Sequence, residues 1–156
     1  MKKTILILAA IFIATQVFSQ SVEKITITYN TVDLYNNIGN VNTLELLKEE
    51  PYTKNLGPEK AKRVIDLRNM SAYFVSDAVE AITVDIVKYE VLENGIIHIV
   101  CDEQNVLYPK KDNVRIFTHT YVDIKNNLSV YSYVWGDEFY SETFANKAVN
   151  PKIVLK

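Results

Sequence analysis

The sequence predicts a mainly β (α+β) fold: an antiparallel curved sheet or small barrel built of hairpins, with one short helix near residues 43–50. Three observations predict it. Runs rich in Ile, Val, Thr and Tyr alternate apolar and polar residues with the period of two that a half-buried strand requires. Short asparagine-bearing turns separate them, Asn94-Gly95 being the strongest hairpin signal. One stretch, opening at Asn42, carries helix-capping chemistry ahead of apolar residues. Short strands joined by short turns imply a meander, curled into a barrel or packed under the helix.

The elements follow in order. Val22 to Tyr35 reads as a strand, with Ile25, Ile27 and Tyr29 alternating with Lys24, Thr26 and Thr28. A turn is expected over Asn36-Asn37-Ile38-Gly39-Asn40. Asn42 then serves as an N-cap with Glu45 three residues on, the capping-box spacing, and Pro51 stops a helix of about two turns. Tyr52 to Lys62 is a polar connection with a helical turn at Glu59–Lys62. Hairpins follow. Arg63–Leu67 and Met70–Ser76 flank Arg68-Asn69, and Ile82–Glu93 and Ile96–Asp102 flank a two-residue Asn94-Gly95 turn. In the longer strand Ile82, Val84 and Ile86 share one parity while Val87, Tyr89 and Val91 share the other, so a β-bulge falls between Ile86 and Val87. After a charged loop at Pro109–Asn113, Val114–Ile124 and Leu128–Trp135 form a third hairpin around Lys125-Asn126-Asn127. Glu138–Phe144 and Lys152–Leu155 add edge strands. Asp66-Leu67-Arg68-Asn69 echoes Asp123-Ile124-Lys125-Asn126, which two hairpins of similar turn chemistry explain without a duplication.

The amino terminus has the tripartite pattern of a cleavable secretory signal: Lys2 and Lys3, an apolar run from Ile5 to Ala14, and Val17-Phe18-Ser19 as a −3/−1 boundary. Residues 1–19 are expected to be a signal peptide and 20–156 a single exported β-rich domain, secreted or periplasmic. The apolar run falls short of the roughly 20 residues of a spanning helix. No membrane span is expected in the mature chain.

Seventeen basic and nineteen acidic residues give a net charge of −2, and loss of Lys2 and Lys3 makes it −4. An acidic domain without a basic block does not neutralise phosphates, so no nucleic-acid partner is expected. Cys101 is the only cysteine, which excludes an intrachain disulfide. It is expected to face Lys88 as a buried, inert thiol. Four glycines argue against a phosphate-binding loop, whereas ten tyrosines, six phenylalanines and one tryptophan are a heavy aromatic load. No catalytic-triad, zinc-helix or nucleotide-loop motif occurs. No cofactor and no metal site is expected. The carboxylate pairs Asp102-Glu103 and Asp137-Glu138 are expected as solvated turn charges.

The candidate ligand-binding residues come from hairpin register. A three-residue loop in the third hairpin sets Val122 opposite Val130 and Ile124 opposite Leu128. It then pairs Tyr121 with Tyr131, His119 with Tyr133, and Phe117 with Trp135 on the other face. That face could stack a sugar, a peptide or a flat apolar molecule; the plainer alternative is that the rings are core or simple cross-strand pairs. His98, opposite Val91 in the second hairpin, is either a structural histidine or a polar group in a cavity. The predicted function is an exported, non-catalytic binding or accessory protein for a small molecule, a glycan or a protein. The alternatives are a protein–protein module acting through a sheet edge, as an inhibitor or assembly subunit, and a small enzyme using His98 or His119 with a tyrosine.

Overall fold

The computed structural model describes residues 22–38, 42–57, 60–77, 80–103, 117–136 and 141–156, the side chains of 37, 38, 135, 136 and 141 excepted. The expected signal peptide, Gly39-Asn40, the Pro109–Asn113 loop and Asp137-Glu138 lie outside these residues. Among them the chain forms one antiparallel sheet of eleven strands and one short helix.

The strands are β1 (Lys24–Tyr29), β2 (Val32–Ile38), β3 (Thr53–Leu56), β4 (Ala61–Asp66), β5 (Ser71–Ser76), β6 (Ile82–Val91), β7 (Ile97–Asp102), β8 (Phe117–Asp123), β9 (Leu128–Gly136), β10 (Ser141–Ala148) and β11 (Lys152–Leu155), with α1 (Thr43–Leu46) between β2 and β3. Their spatial order is β11-β1-β4-β5-β6-β7-β8-β9-β10-β2-β3. From β4 to β10 this is the meander of hairpins that the turn signals predict.

The predicted first strand is two, broken at Asn30-Thr31, and that break shapes the sheet. β1 and β2 stand eight places apart in the strand order. In a flat sheet eight places span roughly 38 Å, whereas the link from Tyr29 to Val32 reaches at most about 11 Å. The sheet therefore curls until its two ends meet. A contact across the interior agrees: Arg63 Nη1 on β4 donates to Thr120 Oγ1 on β8 at 2.8 Å. The sheet is curved but not closed into a barrel, because its outer strands β11 and β3 do not pair with each other.

Two apolar clusters result. The concave interior buries Ile25, Ile27, Ile65, Leu67, Ile97, Ile99 and Val122, drawn from β1, β4, β7, β8 and the β4–β5 turn. The second lies on the convex side, where Leu46 and Leu47 cover Tyr35, Val130 and Ala145. Asn42 caps α1 as expected, its Oδ1 accepting from Leu44 N at 2.9 Å. Glu45 does not complete a capping box; its carboxylate meets Lys48 Nζ at 2.9 Å. The helix is one turn rather than two. After Leu47 the polar Lys48, Glu49 and Glu50 are exposed and have no apolar face to dock, and the backbone tightens to Lys48 N→Glu45 O and Glu49 N→Leu46 O.

The remaining departures are local. Asn36 to Ile38 continue β2, paired with β10, instead of turning. The connection 52–62 holds β3 and the start of β4. The predicted bulge is present: β6 and β7 shift register between Ile86 and Lys88, leaving Val87 extra.

Candidate functional site

Register decides which candidate residues meet, and the two loops that set it are each one residue longer than expected. The third hairpin pairs Asp123 with Leu128 across a four-residue loop, Ile124 to Asn127. Asp123 sets that length: its Oδ1 accepts from Asn126 N at 3.1 Å and its Oδ2 from Asn126 Nδ2 at 2.6 Å, while Asn127 takes a φ of 50°. One extra residue moves every partner by one and swaps faces. Tyr121 therefore lies opposite Val130, His119 opposite Ser132, and Tyr131 and Tyr133 opposite Thr120 and Thr118. The expected single aromatic face does not form. Tyr131 and Tyr133 point into the concave interior; His119 and Tyr121 lie on the convex side. Trp135 pairs with Glu142 in the β9–β10 ladder, and its side chain lies outside those described.

The second hairpin shows the same effect. Its loop is Glu93–Gly95, closed by Leu92 N→Ile96 O at 2.8 Å, with Gly95 at φ 81°. His98 is thereby opposite Glu90 and not Val91. Cys101 pairs with Ile86 and not Lys88; it is buried, as expected, and burial pushes its thiol up to about 11.

Three candidates do assemble on the convex side. His98 Nδ1 donates to Glu90 Oε1 at 3.0 Å, and His98 Nε2 lies 2.9 Å from His119 Nδ1. The two imidazoles sit edge to edge, centroids 5.2 Å apart and planes within 10°. Tyr121 stacks on His98 at 4.5 Å. Ring nitrogens 2.9 Å apart share a hydrogen with each other and do not converge on a metal as a tetrahedral site requires. No group of three or more potential ligands occurs among the described residues. Hydrogen bonding to His98, then to Lys88, holds the Glu90 carboxyl below its usual range. These rings, with Ser132 and the start of α1, border an open groove of about 360 Å³.

Of the remaining candidates Tyr131 alone lines an interior cleft of about 280 Å³ between β1, β2, β4–β7, β9 and β10. Its apolar wall includes Ala72, Ile82 and Val84, and its polar wall is a connected set. Arg63 packs against Tyr131 at 4.1 Å and Phe74 at 5.6 Å, cation–π contacts that gain strength when desolvated. Tyr131 Oη donates to Glu103 Oε2 at 2.7 Å, and Thr118 Oγ1 donates to Glu103 Oε1 at 2.8 Å. Burial, then the Glu103 charge, raises the Tyr131 pKa, so the phenol stays a donor. Tyr133 lies beside this set, its ring 5.8 Å from Tyr131 and stacked on Phe144 at 5.5 Å.

No family model, curated protein or solved structure matches the chain.

Two residues that build the cleft escaped the sequence reading. Glu103 is 8% exposed, not a solvated turn charge. It extends the inward row Ile97, Ile99, Cys101 by one more step of two. Arg63 likewise stands between Ala61 and Ile65 on an inward row. A charge in phase with an apolar row is the signal that marks both. A buried charge is unfavourable unless paired or hydrogen-bonded, so buried Glu103 and half-buried Arg63 at one end of the interior set that end apart from the apolar core.

Proposed function

We propose that this chain is an exported, non-catalytic binding protein that takes a small, partly apolar molecule into the cleft of its curled sheet. The cleft carries the reading. It is concave, just below the usual 300–1,000 Å³ span of ligand sites. It combines an apolar wall with a few fixed polar groups, Arg63, Tyr131 and Glu103. Export rests on the pattern of Lys2, Lys3, the Ile5–Ala14 run and Val17-Phe18-Ser19. The thiol nearest the cleft, Cys101, is protonated at neutral pH and so is no nucleophile there.

The test uses the uncharged fluorophore N-phenyl-1-naphthylamine. It should bind the protein one to one with a blue shift. Ile82 lines the cleft and is half-buried, so Ile82→Trp fills the space from its rim. That variant should fold and lose the signal. Probe binding that survives Ile82→Trp would place the probe elsewhere and defeat the reading. For export, the protein recovered outside the cytosol should begin at or near Gln20; full-length precursor held in the cytosol would refute it.

A further inference from the structure

We propose that the ligand of this cleft carries a single carboxylate and that Arg63 is its anchor, an inference that rests on the binding reading above. A guanidinium has five N–H donors. Among the described residues Arg63 uses one of them, to Thr120 Oγ1 at 2.8 Å. None of the ion pairs among those residues involves it. Among the described residues no fully buried side-chain nitrogen or oxygen lacks a partner, so the remaining donors are not sealed away, and Arg63 lines the cleft. Contacts with Tyr131 and Phe74 hold the guanidinium plane, and a ligand meets its N–H fork.

The nearby anion does not take that fork. Glu103 spends one oxygen on Thr118 and the other on Tyr131. The cleft thus holds a cation with unused donors and a carboxylate whose oxygens are both engaged. A ligand carboxylate matches the planar fork with two parallel charge-assisted bonds. A dianion would meet Glu103 with twice the charge against the single cation, so a monoanion fits best. Ile82, Val84 and Ala72 receive the apolar body.

The matched probes are 2-naphthoate and 2-naphthamide, which share a ring system and differ in charge. Calorimetric titration at neutral pH should show the acid binding at least about tenfold more tightly, the scale of one charge-assisted hydrogen bond. Arg63→Gln should abolish the preference. Arg63→Lys, which keeps the charge and loses the fork, should reduce it. Glu103→Gln should strengthen the acid several-fold and leave the amide unchanged. An amide that binds wild type as tightly as the acid overturns the carboxylate proposal, as does a preference that survives Arg63→Gln. If Arg63→Gln does not fold, the wild-type ratio and Glu103→Gln decide. Binding of N-phenyl-1-naphthylamine without any acid preference overturns this proposal alone; failure of all three probes overturns the cleft reading with it.

Discussion

His119 shows how much one nitrogen constrains a site. Its Nδ1 meets His98 Nε2 at 2.9 Å, and that contact accommodates one hydrogen, not two. Burial lowers the His119 pKa below its ordinary 6.5, and the neighbouring His98 lowers it further. The consequence for stability has a definite sign. The unfolded imidazole takes a proton near pH 6.5, the folded one only at lower pH. Between those values the unfolded state binds more protons, so stability rises with pH and is lost on acidification. The charged groups facing the pair are Glu90, bonded to His98, and Lys88, bonded to Glu90. Thermal melts between about pH 7.5 and about pH 5.5, where histidine titrates, should show a shallower decline for His119→Gln than for wild type. Glutamine's amide can donate to or accept from His98 Nε2 and does not titrate. Equal slopes would mean that His119 is not the group responsible.

The two four-residue hairpin loops are one device used twice. Asp66 accepts from Asn69 N at 2.9 Å and from Asn69 Nδ2 at 3.1 Å, as Asp123 accepts from Asn126. Each loop ends on a left-handed residue, Met70 at φ 50° and Asn127 at φ 50°. Asparagine visits that region readily; for other L-residues it costs roughly 1–2 kcal/mol. Met70 is partly exposed and gives up little burial. Met70→Asn should therefore stabilise the protein by about 1 kcal/mol, and Asn127→Met should destabilise it by a similar amount, both read by chemical denaturation. A destabilising Met70→Asn would mean that the methionine side chain matters more than its backbone. These loops also explain what was legible beforehand. Strands, the Val87 bulge and the Asn42 cap follow from local period and capping chemistry, and all are present. The echo between Asp66–Asn69 and Asp123–Asn126 was visible, but not that Asp–Asn bonding lengthens the third hairpin's loop from three residues to four. Since side chains alternate by two, the added residue sends Tyr131 and Tyr133 inward and leaves His119 and Tyr121 outside. A curved sheet was expected, but the break that splits its first strand was not legible, because Asn30-Thr31 interrupts a strand pattern without glycine or proline to mark it.

Across the whole molecule, the curl separates stability from binding. Ile25, Ile27, Ile65, Ile99 and Val122 are sealed in the interior, all at 0–1% exposure. Further along the same concave face the rows change to Arg63, Glu103 and Tyr131, and there the interior stays open. A dry core at one end can therefore hold the fold while the other end tolerates empty space that a ligand fills. The two ends should respond differently to truncation. Ile99→Ala removes a fully enclosed side chain and should cost about 2–5 kcal/mol, the transfer loss plus an unfilled cavity. Ile82→Ala enlarges a space already open and should cost less than about 1 kcal/mol, near the range of surface substitutions. It should also weaken binding of the naphthyl probes. Both variants should unfold in one cooperative transition, because β1 and β4 carry residues of both ends. Equal costs at the two positions would mean that the cleft is packed shut in solution and that Arg63 lies in a structural network instead of a binding site.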